Sequence, residues 1–348
     1  ILGNGMVIDP VDLVEELRML TENNNHYNGS IYIAANAHIV TPVHKWIDSR
    51  NEENSDGRKI LEYCLDIGVN FFDSSNAYNY GASEVTLGKF LKSKRDKVVI
   101  CTKVAPWVIS EAMTTLGDKV LYTPEFLNSE LDGALSRLDT DYIDIYMLHH
   151  KLIDVSYEDV ADTMHSMVQA GKVRYWGVSN NNSQEVLRHI SVCEDNDNTL
   201  PIGLENCYGI GNTPQGDDLF PVIKKTGLGF VTCRPHSGGR LFHEDKDYLP
   251  GTPGGDLIDL LKKISLEIGT TLTKVCIAWS LSKPEITSVL SAAETYEHVS
   301  DNVSGTNLHL SSEILSLLNS ASKAFTDYKL VENDHINGRW VNRDKSHA

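Results

Sequence analysis

The sequence has no long apolar run and no excess of basic residues, and each absence argues against a class of protein. No stretch approaches about 18 consecutive apolar residues, so we expect no membrane-spanning helix. The 348 residues include 31 Lys and Arg against 48 Asp and Glu, a net charge of −17. A field of this sign disfavours nucleic acid and anionic membranes as partners. A local pocket for a small anionic cofactor remains compatible with it.

Cysteine pairs at redox or metal-binding spacing are also missing. The six cysteines include no Cys-x-x-Cys motif, and Cys64 and Cys101 fall in apolar segments where a thiol packs as a small hydrophobic group. The N-terminus lacks a basic-then-apolar signal, although a chain that starts at Ile1 rather than Met leaves an upstream segment open. We therefore expect reduced cysteines, no metal site and a cytoplasmic protein.

From residue 55 onward, short β-branched runs alternate with amphipathic patterns, which is typical of βα units and a parallel sheet. An open doubly wound sheet is the alternative, but it usually has a Gly-x-Gly-x-x-Gly turn after its first strand, which this chain lacks. The pattern predicts an α/β fold with a single (β/α)8 TIM barrel over residues 1–348. The eight predicted strands are Ile31–Ala35, Val69–Phe72, Val98–Thr102, Tyr142–Leu148, Val173–Val178, Leu200–Leu204, Leu228–Thr232 and Ile286–Leu290.

Apolar stripes of helical spacing predict helices between these strands. In the helix over Thr123–Leu138, Thr123 caps the first turn and Pro124 follows it, while Leu127 and Leu131 lie on the stripe. The other predicted helices are Ser55–Ile67, Tyr157–Ala170, Ser183–Cys193, Asp217–Lys225, Asp256–Ile268 and Ser311–Ser322.

Two end segments do not follow the alternation. Residues 1–30, with one helix around Val11–Leu20, are predicted to be an N-terminal extension, and residues 324–348 a polar C-terminal tail. Long Gly- and Pro-containing βα loops, of the kind that builds a site or a lid, are expected near residues 105–122, 207–216 and 235–255.

Chemically complementary residues follow the predicted strands. In a (β/α)8 barrel the reactive residues come from the carboxyl ends of the strands, so these side chains are expected to meet. A carboxylate, an ammonium, an imidazole and a phenol together favour proton transfer, in which the ammonium lowers the pKa of the phenol and the carboxylate holds the ammonium. Singly, each has an ordinary structural explanation, such as a turn, a solvated strand end or a packed ring. The residues are Asp73, Tyr78, Lys103, His149, His150, Ser179, Asn180, Glu205, Cys233 and Arg234.

Longer motifs run in a fixed order along the chain. They are Gly68-Val-Asn-Phe-Phe-Asp-Ser-Ser-Asn-Ala-Tyr78, Thr102-Lys103, Asp141-Tyr-Ile-Asp-Ile-Tyr-Met-Leu-His149 and Gly171-Lys-Val-Arg-Tyr-Trp-Gly-Val-Ser-Asn180. From about residue 55 to 322 the chain resembles the aldo-keto reductases. The resemblance implies hydride transfer between a nicotinamide cofactor, NADP(H) or NAD(H), and a small carbonyl or alcohol substrate.

The resemblance also implies individual roles. Tyr78 would be the general acid, Lys103 would lower its pKa, Asp73 would pair with Lys103, and His149 would orient the substrate oxygen. Ser179 and Asn180 would hold the nicotinamide carboxamide, and the loop Pro235–Arg240 would cover the pyrophosphate. The other implied cofactor-binding residues are Glu205, Cys233, Arg234, Gly238, Gly239, Arg240, Glu294, His298 and Asn302. The expected substrate pocket comprises Trp107, His150 and Trp340.

Four departures from the family pattern bear on the cofactor. Glu205 stands where the family usually has Gln, and Cys233 where it usually has an aromatic residue. The segment Ser291–His298 has no Lys or Arg for a 2′-phosphate, and the first predicted strand, continuing to Asn36, replaces the usual Gly-Thr-aromatic motif. Glu294 would repel a phosphate but accept from a ribose hydroxyl. NADP(H) is expected first, with NAD(H) as the alternative. Two other functions stay open: an NAD-dependent sugar or aryl-alcohol dehydrogenase, and a cofactor-binding regulatory or scaffold subunit with little turnover.

Overall fold

The computed structural model describes residues 56–106, 122–237, 241 and 250–332. In these ranges, helices alternate with seven strands. The strands are β1 (Phe71–Asp73), β2 (Val99–Val104), β3 (Ile143–Leu148), β4 (Val173–Ser179), β5 (Gly203–Cys207), β6 (Gly229–Cys233) and β7 (Ser288–Leu290). The α-helices are α1 (Asp56–Asp66), α2 (Ala82–Leu91), α3 (Pro124–Leu138), α4 (Tyr157–Gln169), α5 (Ser183–Asp195), α6 (Pro214–Thr226), α7 (Pro253–Glu267), α8 (Leu272–Leu281), α9 (Tyr296–Gly305) and α10 (Ser312–Glu332).

The strand predictions hold for the described part of the chain. Each of the seven strands overlaps one predicted from the sequence, with ends displaced by a few residues. The eighth predicted strand, Ile31–Ala35, lies outside the described residues, as does the predicted extension over residues 1–30. The described strands therefore confirm a parallel α/β sheet, while the closed eight-stranded barrel stays a prediction.

Helices without one clear apolar stripe were missed. In α8, the six consecutive residues from Val275 to Ser280 are all buried. In α2, the buried face includes the polar residues Ser83 and Glu84. Because neither helix presents one clear apolar stripe, amphipathic periodicity cannot identify it. The predicted boundary of the C-terminal tail also needs correction, since α10 continues to Glu332 rather than ending at Ser322.

The sheet runs in sequence order from β1 to β7, and all six neighbouring pairs are parallel. Right-handed crossovers that always advance in one direction place all the helices on one face of a sheet. A doubly wound sheet instead reverses its strand order at a switch point. The described strands contain no such reversal, so the doubly wound alternative does not fit them.

The other face of the sheet is concave, and its side chains pack against one another inside the curl of the sheet. Phe71 of β1, Ile145 and Met147 of β3 and Leu290 of β7 belong to one buried cluster, so the first and last strands pack inside the same curl. Outside the curl, the rings of Tyr63 in α1 and Tyr296 in α9 meet edge to face, 5.1 Å apart. The larger apolar core lies between the sheet and the helices. The described strands thus form a curled, half-barrel sheet.

The helices of the described residues can also be compared with the length and apolarity that a membrane span needs. In the described ranges, every helix is too short or too polar to serve as a membrane span.

Candidate active site

Side-chain alternation brings the strand-end residues to one place. Phe71, Cys101 and Met147 belong to the inner cluster, and the residue two positions beyond each one faces the same side of its strand. These three residues are Asp73, Lys103 and His149. Because all strands are parallel, their carboxyl ends meet at one mouth of the curl. The predicted site residues therefore share a face and an end of the sheet.

Lys103 lies at the centre of the site and is 1% exposed. Its Nζ forms an ion pair with Oδ2 of Asp73 and a second one, at 3.2 Å, with Oε2 of Glu205. The same Nζ is 5.1 Å from the centroid of the Tyr78 ring. Ligand atoms of Asp73, Cys101 and Glu205 lie within 4.8 Å of one another, but the Lys103 ammonium supplies the positive charge between the carboxylates.

The two carboxyl groups compete for this one ammonium. Burial acts to lower the pKa of Lys103, but the charges of Asp73 and Glu205 raise it well above its ordinary value. Burial and the neighbouring Asp73 raise the pKa of Glu205 to about 8. At neutral pH, Glu205 therefore holds a proton, and Lys103 keeps its charge. The sequence did not indicate that Glu205 turns toward Lys103.

Tyr78 keeps part of its surface exposed, in the loop between β1 and α2. Desolvation raises the pKa of its phenol above the ordinary value, and the smaller effect of Lys103 lowers it. Lys103 therefore acts on the phenol in the direction expected from the sequence, and desolvation outweighs its effect. The charges of Asp73 and Glu205 act with desolvation and raise the pKa further.

His149 is held by a residue that sequence reasoning missed. Its Nδ1 lies 2.9 Å from Oγ of Ser75, which also accepts a hydrogen bond from the backbone N–H of Ala77 at 3.1 Å. The ring stands nearly perpendicular to that of Tyr78, at 5.6 Å between centroids, and the ring of His150 stacks on it at 4.8 Å. Burial and Lys103 lower the pKa of His149 well below its usual range, so the imidazole is neutral.

Ser75 gave no sequence signal beyond its place in a polar turn after a strand. Its contact with His149 joins residues 74 positions apart. Only the pairing of β2 between β1 and β3 brings the two together.

The loop that carries Tyr78 is fixed by buried polar contacts. Asn76 donates from Nδ2 to Glu130 at 2.9 Å, and its Oδ1 accepts from the backbone N–H of Ala105 at 2.9 Å. At the end of the loop, Gly81 has φ +81°, and a Cβ there would lie 2.8 Å from the side chain of Arg137. These contacts anchor the phenol to β2 and α3.

Ser179 and Asn180 lie beside His149 at the next strand end. Asn180 donates from Nδ2 to the carbonyl oxygen of His149 at 2.9 Å and to Oγ of Ser179 at 3.0 Å. Its backbone has φ +58°, a conformation uncommon outside glycine. Non-glycine residues with positive φ cluster at functional sites, and Arg234 after β6 is another, with φ +63°.

The predicted cofactor-tail residues form the start of α9. His298 accepts at Nδ1 from the backbone N–H of Glu294, at 3.4 Å, and Thr295 caps the helix. Asn302 is buried and donates from Nδ2 to the carbonyl oxygen of Ala292 at 3.1 Å. Trp107, Gly238, Gly239, Arg240 and Trp340 lie outside the described residues.

Unpartnered buried polar atoms test whether a dinucleotide fits these strand ends. Among the described residues, Oδ1 of Asn181 after β4 and Oγ of Ser291 after β7 are buried without a hydrogen-bond partner. Such atoms suit the amide and hydroxyl groups of a nicotinamide nucleotide. The amino end of α9, next to Ser291, favours a phosphate group. The residues present therefore fit a nicotinamide nucleotide.

The fold and the site define a parallel α/β protein with titratable side chains at its strand ends. The sequence model of the Aldo/keto reductase family matches residues 45–323. The chain belongs to this family, and the family resemblance is confirmed.

Relatives of this chain differ in their described functions. An NADH-specific methylglyoxal reductase of Escherichia coli (strain K12) is 28% identical over 283 residues, covering 74% of this chain and 84% of the relative. A probable voltage-gated potassium channel subunit beta of Oryza sativa subsp. japonica is 27% identical over 285 residues, with 74% and 84% covered. The crystal structure of an aldo/keto reductase from Klebsiella pneumoniae in complex with NADP and acetate has a TM-score of 0.64 at 23% identity, covering 81% of this chain and 90% of that one.

Proposed function

We propose that this protein transfers a hydride between NADP(H) or NAD(H) and a small carbonyl or alcohol, with Tyr78 as general acid and base. One observation carries the proposal. The Tyr78 ring lies 5.1 Å from the Lys103 ammonium, edge to face with the neutral ring of His149. A phenol, an ammonium and a neutral imidazole at one mouth match what carbonyl reduction requires of a protein.

The proposed chemistry divides between the cofactor and the chain. The nicotinamide supplies or accepts the hydride when it is bound. In reduction, the Tyr78 hydroxyl donates its proton to the carbonyl oxygen as negative charge develops there. The Lys103 ammonium stabilises the phenolate left behind, and Asp73 holds Lys103 in place. In alcohol oxidation, the same groups act in the reverse direction.

His149 orients the substrate oxygen in this proposal. The Ser75 hydroxyl lies 2.9 Å from Nδ1 of His149 and also donates to the carbonyl oxygen of Lys103 at 3.1 Å, so it ties the imidazole to β2. Ser75 is thus a positioning residue for the His149 ring.

Glu205 sets the charge balance around the phenol. While it is protonated, Lys103 faces one carboxylate. When Glu205 ionises, near pH 8, its charge raises the pKa of Tyr78 further and weakens the positive field of Lys103. We therefore infer that turnover falls as pH rises through this value.

The cofactor choice follows from charge. NADP(H) stands first because of the family, but Ser291–His298 offers no Lys or Arg, and charge-assisted contacts are the strong ones for a 2′-phosphate. Weak discrimination between NADPH and NADH is therefore expected. Arg240 remains a proposed contact to the cofactor, and the pocket residues Trp107, His150 and Trp340 remain predictions, as do the eighth strand and a cytoplasmic location.

A regulatory subunit with little turnover is the second candidate. A probable voltage-gated potassium channel subunit beta is among the relatives, and Glu205 and Cys233 depart from the usual family pattern. An NAD-dependent sugar or aryl-alcohol dehydrogenase is a third. The presence of Asp73, Tyr78, Lys103 and His149 together supports catalysis over a purely structural role.

Cofactor titration and turnover together test the proposal. Intrinsic fluorescence would be titrated with NADPH and NADH, and a panel of aldehydes, ketones and alcohols would be assayed by the change in cofactor absorbance. Binding with turnover supports the enzyme, and binding without turnover on the whole panel supports the regulatory subunit. Absence of binding by both cofactors would refute both readings.

A further inference from the structure

Two cysteine thiols meet at the mouth of the curl, outside the proposed proton-transfer residues. Cys207 ends β5 and Cys233 ends β6, and the two are register partners in the parallel ladder. Their Sγ atoms lie 3.2 Å apart. Both are partly exposed, whereas the other four of the six cysteines are buried. The two thiols of this pair therefore contact each other and are also reachable by a small reagent in solution.

The backbone at this pair suits a covalent bond between the thiols. Register partners on neighbouring strands are about 4.8 Å apart between Cα atoms and point to the same face. Disulfides span Cα separations of about 4.4 to 6.8 Å, with an S–S bond of about 2.05 Å. The Sγ atoms thus need to approach by roughly 1 Å, a movement that side-chain rotation can supply.

The two thiols differ in their hold on a proton. A hydrogen bond from Cys233 lowers the pKa of Cys207 to about 7 against the opposing effect of burial, and Arg234 lowers it further. The same hydrogen bond, together with burial, raises the pKa of Cys233 well above its ordinary value. The contact therefore favours the thiolate, the reactive form, at Cys207 and the thiol at Cys233.

We propose that Cys207 and Cys233 form a dithiol site that hydroperoxides oxidise to a disulfide. The Cys207 thiolate attacks one oxygen of hydrogen peroxide, an S–O bond forms, the O–O bond breaks and hydroxide leaves. Cys233 then attacks the sulfur of the Cys207 sulfenic acid, the S–S bond forms, the S–O bond breaks and its oxygen leaves as water with the Cys233 proton. Two thiols and one peroxide yield one disulfide and two waters. This chemistry goes beyond hydride transfer and does not depend on it.

Peptide mapping of the full chain tests the proposal. The reduced protein would be treated with hydrogen peroxide at pH 7, alkylated with N-ethylmaleimide, digested and analysed by mass spectrometry. A cross-linked peptide pair joining Cys207 to Cys233 is expected, lighter by two hydrogens and released by dithiothreitol. Cys207→Ser and Cys233→Ser should each abolish it. The matched control Cys193→Ala, at a buried cysteine of α5, should keep it.

A thiol count on the unmodified sequence keeps the test decisive if a variant fails to fold. Under denaturing conditions the titratable thiols should fall from six to four as the peroxide reacts, without a long-lived species of five. Iodoacetamide should label Cys207 at least about tenfold faster than Cys193 in the native, reduced protein. A stable sulfenic or sulfonic acid at either cysteine without the cross-link would overturn the proposal, and so would a cross-link that survives Cys207→Ser.

Discussion

The proton-transfer end and the cofactor end of the mouth differ in how closely they follow the family resemblance. At the proton-transfer end, Asp73, Tyr78, Lys103 and His149 meet around one buried ammonium. At the cofactor end, the strand-end side chains contact each other or a residue of the proton-transfer end. Glu205 pairs with Lys103, and Cys233 contacts Cys207. Glu205 therefore couples the two ends, because a residue of the cofactor end acts on the charge around Tyr78.

The largest effect should come from removing the proton donor. Tyr78→Phe should lower turnover by about 10²–10⁴-fold, because the general acid is lost, while cofactor affinity changes little. Steady-state kinetics and fluorescence titration measure the two effects. Tyr80→Phe is the matched control, since Tyr80 lies in the same loop and is 80% exposed. Full activity in Tyr78→Phe would show that Tyr78 is not the proton donor.

Lys103→Met should lower both the stability of the protein and its rate of turnover. It leaves Asp73 and Glu205 buried together without their ammonium, and breaking a buried ion pair costs about 3–5 kcal/mol. Turnover should fall and the alkaline limb of the pH profile should move upward, because the phenol loses a charge that lowers its pKa. Denaturant unfolding and pH–rate profiles check both. Unchanged stability would show that the ion pairs of Lys103 do not stabilise the folded state.

Glu205→Gln should remove a pH dependence of stability that arises from the Glu205 carboxyl. The native carboxyl keeps its proton up to about pH 8, whereas an unfolded glutamate loses it near 4.5. The native state therefore binds more protons in this window, and stability falls as pH rises through it. The free energy of unfolding of the variant should exceed that of the parent by at least about 1 kcal/mol at pH 8.5 and by little at pH 5.

The corresponding rate measurement sharpens this point. Turnover of the variant should no longer fall as pH rises past about 8. A fall of the same size in the variant and the parent would assign that limb to another group.

The sequence predicted what depends on alternation along the chain, and it missed what depends on register between strands. Short β-branched runs located the strands, and the carboxyl ends of those strands brought Asp73, Lys103 and His149 together. The orientation of Glu205 and the contact of Cys207 with Cys233 join residues on different strands. The ladder aligns Cys207 with Cys233, whereas Glu205 reaches Lys103 across the curled sheet, because β2 and β5 are not neighbours. Buried helices such as α8 escaped because burial on all sides removes the polar face that periodicity detects.

Ser75→Ala should have a smaller effect, confined to the orientation of His149. Loss of one hydrogen bond worth about 1.4 kcal/mol corresponds to roughly tenfold in turnover. The effect should fall on kcat/KM for substrate and leave cofactor affinity unchanged. Ser74→Ala is the control, because Ser74 bonds to Oγ of Ser83 instead, at 2.9 Å. Equal effects of the two variants would reduce Ser75 to a structural residue.

The smallest predicted effect tests the cofactor end directly. Ala292 is exposed in the segment that lacks a cation, so Ala292→Lys should strengthen NADPH binding by about fivefold, roughly 1 kcal/mol, and leave NADH binding unchanged. Ala292→Gln controls for side-chain length without charge. Fluorescence titration at low and high salt measures the gain, which salt should reduce because the lysine would be exposed. In the parent, NADPH binding more than about a hundredfold tighter than NADH binding would mean that another cation already pairs with the phosphate, and the gain from Ala292→Lys should then vanish.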